Sequence, residues 1–175
     1  MVLKPQDIIV VLKIVAMGKE KSRAWSYASL ALQVGMSPAE VHAGIKRLIS
    51  AKLLVRIDEQ FLPATQALLE FLCHGIAYVF IPDLGELTRG LPTGFSAPPL
   101  SGIITQGEEL PYVWPDAEGE VRGVSFSPLY KSVPYAARND RALYELLVLV
   151  DGIRGGRARE REIAVKELEK RLKEV

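Results

Sequence analysis

Side chains that can donate hydrogen bonds to phosphate are concentrated in one short stretch of this 175-residue chain. Four of them fall on one face of a single predicted helix: Ser37, His42, Lys46 and Arg47. Arg56 follows a few residues later, in a segment with the composition of a strand. The N-terminus of a helix also presents free N–H groups to an anion. This combination predicts a surface that binds a polyanion.

Residue types that carry catalysis or bind metals are sparse. The chain has one cysteine, Cys73, and two histidines, His42 and His74, which excludes an internal disulfide and any multi-cysteine zinc site. Cys73 and His74 are adjacent, but no Asp or Glu lies at a spacing that would complete a nucleophilic site. The Gly-containing tract 87–94 lacks the Lys-Ser/Thr of a phosphate-binding loop. We therefore predict no catalytic residue, no metal site, no cofactor and no enzymatic activity.

Charge is divided unevenly along the chain, although the net charge is only +1. Residues 1–57 carry 9 basic and 3 acidic residues (net +6), residues 58–136 carry 3 and 10 (net −7), and residues 137–175 carry 10 and 8 (net +2). This division predicts that the first segment faces the polyanion and that the middle does not. A single cysteine, no apolar run of ~20 residues and no signal-peptide layout predict a cytoplasmic protein without a membrane segment.

Helix signals mark the first part of the chain. Apolar residues at helical spacing predict a helix over 5–17, which Gly18 ends. A polar connector over 19–23 follows. Ser26 is placed to cap a second helix, which Gly35 ends.

A third helix has the strongest start signal in the sequence. Ser37-Pro38-Ala39-Glu40 has Ser at the N-cap, Pro at the first helical position and Glu at the third, which is a capping box. We predict that the helix runs to about Ala51, buries Val41, Ile45, Leu48 and Ile49, and exposes Glu40, His42, Ala43, Lys46 and Arg47. A short hairpin follows, with strands at 53–57 and 61–62 and a turn at 58–60.

The remaining sequence divides into a Gly/Pro-rich middle and a helical end. Helical spacing resumes over 65–74, but 8 of the 11 prolines and 7 of the 14 glycines lie between 82 and 135, which excludes long helices there. Two aromatic segments, 112–114 and 124–126, are predicted to pair as a hairpin. Helices return from Arg138, with an interruption at Gly155-Gly156. We predict an α+β protein of three regions: 1–66, 67–136 and 137–175.

Helix, helix, glycine turn, capped helix and hairpin within about 60 residues is the order found in a winged helix-turn-helix. The pattern Leu30-Ala31…Gly35…Ser37…Val41…Ile45-Lys46-Arg47-Leu48…Leu53-Leu54-Val55 resembles the MarR-type winged-helix transcriptional regulators over residues 5–63. The resemblance implies sequence-specific binding of double-stranded DNA in a prokaryotic cytoplasm, with a recognition helix at 37–51 in the major groove. The implied DNA-binding residues are Ser26, Tyr27, Ser37, Pro38, Glu40, His42, Lys46, Arg47 and Arg56.

Several alternatives remain open from the sequence. One recognition helix contacts few bases, so we expect a homodimer, for which the apolar stripes 65–72 and 143–153 are candidates unless they are core. The alternative function is a protein-interaction module or an antitoxin-like protein that binds a second protein through residues 75–175. A basic tract around Arg154 and Arg157 is a further candidate for an acidic partner, although interleaved Glu160 and Glu162 favour an ordinary salt-bridged helix start.

Overall fold

The computed structural model describes residues 1–21 and 25–175, so that the end of the predicted connector 19–23 lies outside the described residues. The fold is α+β. In chain order its elements are α1 (Pro5–Lys21), α2 (Tyr27–Val34), α3 (Pro38–Ser50), β1 (Leu54–Ile57), β2 (Gln60–Pro63), α4 (Thr65–His74), α5 (Ile76–Val79), β3 (Leu84–Thr93), β4 (Tyr112–Pro115), β5 (Val121–Phe126), α6 (Val133–Arg138), α7 (Arg141–Gly155) and α8 (Ala158–Lys173). No helix within 1–21 or 25–175 is long and apolar enough to span a membrane.

Helix α1 lies at the centre of the molecule. Its residues Asp7 to Val15 are all buried, including Lys13, whereas its sequence predicted one apolar face only. The difference arises because both α3 and α7 pack against α1. The Lys13 Nζ lies 2.7 Å from Asp140 Oδ2, and Asp140 also caps α7 by accepting from the Leu143 N–H. The first predicted region is therefore joined to the last by a core and an ion pair.

The α2–α3 connection follows the local signals in the sequence. Gly35 ends α2 with φ 68°, a left-handed conformation that glycine adopts without strain. A Cβ at this position would also lie 2.9 Å from the Tyr135 ring, so that both backbone angle and packing require glycine. The Ser37 hydroxyl then accepts from the Glu40 N–H at 3.1 Å, and the Glu40 carboxylate accepts from the Ser37 N–H at 2.8 Å. The predicted capping box is confirmed.

Burial along α3 agrees with the sequence for its main apolar residues, but Ile49 is more exposed than predicted and Glu40, Ala43 and Arg47 are less exposed. Val41, Ile45 and Leu48 are buried as predicted. The prediction that Ile49 is buried is wrong, because its side chain lies at the edge of the buried face and is 38% exposed. Strands β1 and β2 then pair antiparallel with Ile57 opposite Gln60, which confirms the predicted hairpin.

The small sheet of the middle region differs from the prediction. Strand β3 pairs antiparallel with both β4 and β5, while β4 and β5 lie parallel, with Tyr112 opposite Val124. The predicted hairpin between 112–114 and 124–126 is therefore wrong. Its two strands both use β3 as their antiparallel partner, and residues 116–120 carry the chain between them.

One hydrophobic core includes residues from all three predicted regions. It contains much of α1, the buried faces of α2 and α3, the sheet residues Trp114 and Phe126, and the buried sides of α7 and α8. Helix α7 is buried along almost its whole length from Leu143 to Arg154. Each large apolar side chain removed from water here contributes about 1.5–3 kcal/mol to folding. The position of α3 on the surface is consequently fixed by the entire chain.

Candidate nucleic-acid interface

The exposed side of α3 presents a narrow polar stripe to solvent. Ala39, His42, Lys46 and Ser50 are exposed and follow one another at helical spacing, on the side opposite the buried residues. Pro38, at the first helical position, and the capping residue Ser37 are also exposed. The predicted outward positions of His42 and Lys46 are confirmed. The stripe can donate hydrogen bonds and carries the Lys46 charge.

An aromatic cluster holds the hairpin against the two helices. The His42 ring lies edge-on to Tyr27 with centroids 5.0 Å apart, and Tyr27 lies 6.5 Å from Phe61 of β2. Trp25 packs against Phe61 at 5.7 Å. Because aromatic pairs at such distances contribute about 0.5–1.5 kcal/mol each beyond area burial, the cluster fixes the hairpin beside His42. Tyr27 is thereby half-buried and Trp25 serves as a packing residue.

Arg56 is the exposed cation of the hairpin. Its Nη2 lies 3.0 Å from Glu59 Oε2 at the acidic turn, and its guanidinium stacks 5.8 Å from the centroid of the Phe61 ring. Both partners of this ion pair are exposed, and such pairs contribute about 0–1 kcal/mol. The guanidinium can therefore exchange the Glu59 carboxylate for another anion at little cost.

Arg47 occupies a different place from the one predicted. Its Nε and Nη2 each lie 2.7 Å from an oxygen of the Asp7 carboxylate in a bidentate pair. The Asp7 side chain is fully buried and the Arg47 side chain is 14% exposed. The hydrogen bonds that Arg47 donates to the Asp7 carboxylate raise the pKa of Arg47. The predicted outward orientation is wrong, because the carboxylate of α1 draws this guanidinium inward, where it joins α1 to α3.

Gly44 explains how the carboxylate fits against α3. A Cβ at Gly44 would lie 3.0 Å from Asp7 Oδ1, closer than a carbon normally approaches. The glycine therefore provides the space that the Asp7–Arg47 pair occupies. Glycine lowers helix propensity by about 1 kcal/mol relative to Ala at this position, and in return α1 and α3 approach each other closely.

Glu40 is engaged within the protein on both of its oxygens. Oε1 accepts from the Tyr130 hydroxyl at 2.6 Å, and Oε2 accepts from the Ser37 N–H at 2.8 Å. The Tyr130 hydrogen bond lowers the pKa of Glu40 most, followed by the hydrogen bonds from Ser37, so the carboxylate is ionised at neutral pH. Glu40 thus holds the first turn of α3 in place.

The remaining predicted residues lie at the start of α2. The Ser26 hydroxyl accepts from the Ser29 N–H at 3.1 Å and the Ser29 side chain returns a contact to the Ser26 backbone, which makes a second capping box. Ser26 is exposed. Of the nine predicted residues, the structure brings Ser37, Pro38, His42 and Lys46 together on α3 and places Tyr27 against His42. Arg56 packs on the Phe61 ring, which in turn lies near Tyr27. Arg47 bonds to Asp7 and Glu40 bonds to Tyr130.

Sequence analysis missed one cation beside α3. Lys131 is exposed, and it follows the residue whose hydroxyl binds Glu40. The local sequence does not indicate that Lys131 lies beside α3, because Tyr130 and Glu40 are 90 residues apart. The segment around Lys131 carried no helix or strand pattern of its own.

A separate exposed surface is apolar. Five large hydrophobic residues between α5 and the first half of β3 are exposed by 47–77%: Tyr78, Val79, Ile81, Leu84 and Leu87. We call this set the 78–87 patch. The stripes 65–72 and 143–153, predicted as candidates for dimerisation, are instead core, since Leu68, Leu72 and the apolar face of α7 are buried.

The surroundings of Cys73 and of the basic tract around Arg154 and Arg157 favour structural roles for these residues. Burial raises the pKa of the Cys73 thiol, with a smaller effect from Glu169, which disfavours the reactive thiolate. Arg154 is buried in an ion pair with Asp151, and the exposed Arg157 pairs with Glu109 at 2.7 Å. In the ranges 1–21 and 25–175, no three His, Cys, Asp or Glu side chains are grouped to hold a metal ion.

Comparison of the chain with protein-family models, with curated protein sequences and with solved structures finds no match. What the protein binds must therefore be inferred from its own exposed side chains. Among the described residues, the polar stripe of α3 with the adjoining hairpin and the 78–87 patch are exposed surfaces that a partner can reach.

Proposed function

We propose that residues 5–63 form a MarR-like winged helix-turn-helix and that the protein binds double-stranded DNA as a prokaryotic transcriptional regulator. The observation that carries this proposal is the exposed polar stripe of α3, on a helix that starts with a capping box after a left-handed glycine and is followed by a hairpin packed against it. An α-helix fits the major groove of B-form DNA, where base edges can be read. The stripe lies on such a helix and carries the donors of His42 and Lys46.

Polar side chains of the stripe and its neighbours have distinct tasks in this proposal. Lys46 neutralises a phosphate or reaches a guanine edge, and His42 donates to a base edge or a phosphate. Ser37 and Ser26 donate hydroxyl hydrogen bonds to the backbone of the DNA. Arg56 contacts a flanking phosphate after releasing Glu59. Arg47 takes part indirectly, because its bond to Asp7 holds α3 at a fixed angle to α1.

Lys46→Ala tests the interface directly. We expect the slope of log K against log salt concentration to decrease by about 0.9, because one phosphate contact is lost. The affinity should fall about tenfold, the size of one charge-assisted hydrogen bond. Fluorescence anisotropy of a labelled duplex at several salt concentrations measures both quantities.

The matched control is Lys173→Ala, which removes an exposed lysine at the end of α8. It changes the net charge equally and should leave the slope unchanged. Equal effects of the two substitutions, or no effect of Lys46→Ala, would contradict the proposed interface.

We propose further that the protein acts as a homodimer, because one helix reads too few base pairs for selective binding. Among the described residues, the 78–87 patch is an exposed apolar surface that can serve self-association, since exposed apolar surface on soluble proteins commonly marks interaction sites. Sedimentation velocity of the double variant Tyr78→Ser/Ile81→Ser should show a monomer where the unaltered protein is a dimer. A dimer that survives both substitutions would place the interface elsewhere.

The same patch favours a second candidate function, a protein-interaction module that binds a different protein through residues 75–175. The two candidates differ in what they predict for Lys46→Ala. If the second candidate is correct, the protein keeps its function in the cell in Lys46→Ala and loses it in Tyr78→Ser/Ile81→Ser. If the protein acts through DNA, both variants weaken its function.

A further inference from the structure

Residues 130–135 are fixed to the α2–α3 connection by three contacts. The Tyr130 hydroxyl donates to Glu40 Oε1 at 2.6 Å, and the Tyr135 hydroxyl donates to the Leu32 carbonyl at 3.1 Å. The Tyr135 ring also covers Gly35 so closely that a Cβ there would lie 2.9 Å from it. The chain segment that precedes and begins α6 is therefore held beside the first turn of α3, although about a hundred residues separate the two in sequence.

Lys131 is the charge that this segment adds. Its side chain is exposed, and its Nζ lies 5.8 Å from the centroid of the Tyr130 ring. Within the described part of the chain, no Asp or Glu oxygen lies within 4 Å of this Nζ. The ammonium charge is also close enough to contribute to the lowered pKa of Glu40. A cation without an acidic partner thus stands at the start of α3 and comes from the other half of the chain.

We propose that Lys131 binds a phosphodiester of the DNA backbone and that the interface therefore includes the C-terminal half of the protein. This inference rests on the proposed DNA binding. Lys131 lies beside Glu40, and Lys46 lies six positions further along α3, a rise of about 9 Å along the helix axis. Since each strand of duplex DNA carries a charge about every 3.4 Å along the axis, the two ammonium groups meet different phosphates.

The acidity of the middle region gives this contact a further role. Residues 58–136 carry a net charge of −7, and Lys131 is one of only three cations among them. Lys131 lies beside the ionised carboxylate of Glu40, which a polyanion approaching the start of α3 would otherwise meet. Lys131 supplies the local positive charge at the point where the middle region adjoins α3.

The test is the salt dependence of binding to a labelled duplex by Lys131→Ala, with Lys173→Ala as the matched control. We expect Lys131→Ala to reduce the slope of log K against log salt by about 0.9 and to weaken binding several-fold at low salt. The double variant Lys46→Ala/Lys131→Ala should lose about twice that slope, because the two side chains meet separate phosphates. Lys131 is exposed, so the thermal unfolding midpoint should not change.

Failure of this inference is distinguishable from failure of the proposed function. If Lys46→Ala reduces the slope while Lys131→Ala behaves like Lys173→Ala, the phosphate contact of Lys131 is overturned and DNA binding by α3 stands. If the unaltered protein does not bind duplex DNA at low salt, both are overturned. Equal losses for Lys131→Ala and Lys173→Ala would indicate a general effect of net charge and would also overturn the contact.

Discussion

Asp7→Ala should lower the free energy of unfolding by about 3–5 kcal/mol, the cost expected when one partner of a buried ion pair is removed. The buried carboxylate accepts two hydrogen bonds from Arg47 at 2.7 Å and one from the Lys4 N–H at 2.8 Å. Without this carboxylate, the largely buried guanidinium of Arg47 loses both of its hydrogen-bond acceptors and its counter-charge. The measurement is urea unfolding followed by circular dichroism.

Two further variants separate the ion pair from general disruption. Arg47→Ala should also be strongly destabilising, because it leaves the Asp7 charge buried. The double variant Asp7→Leu/Arg47→Met should recover most of the loss, since apolar side chains of similar size often replace a buried ion pair without cost. If Asp7→Ala changed the free energy of unfolding by less than about 1 kcal/mol, the size of an exposed pair, the structural role of Arg47 would be wrong.

Asp151→Ala is expected to produce a loss of similar size, again about 3–5 kcal/mol, at a second buried ion pair. The Asp151 carboxylate accepts from Thr93 and from the Trp114 indole N–H, each at 2.7 Å, and pairs with Arg154 at 2.7 Å. The side chains of Asp151 and Arg154 are no more than 3% exposed. Its removal leaves the buried Thr93 hydroxyl and Trp114 indole N–H without their acceptor and the buried Arg154 without its counter-charge, and it removes a link from β3 and β4 to α7.

Thr93→Val is the matched control for this network. It removes one neutral donor and keeps the shape of the side chain, so the loss should be near 1–2 kcal/mol, and Asp151 keeps its other partners. The near-ultraviolet circular dichroism of Trp114 should change in Asp151→Ala and remain largely unchanged in Thr93→Val. Equal losses for the two variants would show that Arg154 does not depend on Asp151 for its charge balance.

Local signals predicted the first third of the fold well. The capping box at Ser37, the glycine at position 35 and the hairpin after residue 53 each depend on residues that are neighbours in sequence, so a single chain contains the information. Helix α1 was predicted as a one-sided helix. Its full burial depends on α7, which lies more than a hundred residues away and whose packing partner the sequence does not indicate.

Long-range pairing explains the predictions that were wrong. Helical spacing placed Arg47 toward solvent, because no rule of local sequence connects it to Asp7, 40 residues earlier. The bond between Glu40 and Tyr130 spans 90 residues and was equally hidden. For that reason the candidate site includes Lys131, which the sequence did not predict, and Arg47 is not an outward cation in it.

The middle region was the hardest to predict because its strand signals are weak. Strand β3 contains Gly85, Gly90 and Pro92, residues that normally argue against a strand, so its role as the partner of both β4 and β5 was not recognised. A Cβ at Gly90 would lie 2.0 Å from the Trp114 carbonyl oxygen, which shows that glycine permits the close approach of β4. The two aromatic segments then paired in parallel instead of forming a hairpin.

The most direct test of the proposed function is the affinity of the intact protein for duplex DNA from the region upstream of its own coding sequence. A scrambled duplex of the same composition is the control, and both are measured at two salt concentrations. We predict tighter binding to the native duplex and a slope of log K against log salt of about −3 or steeper, because Lys46, Arg56 and Lys131 are exposed and each neutralises about one phosphate. No binding at low salt, or equal and salt-insensitive binding to both duplexes, would contradict DNA recognition by α3.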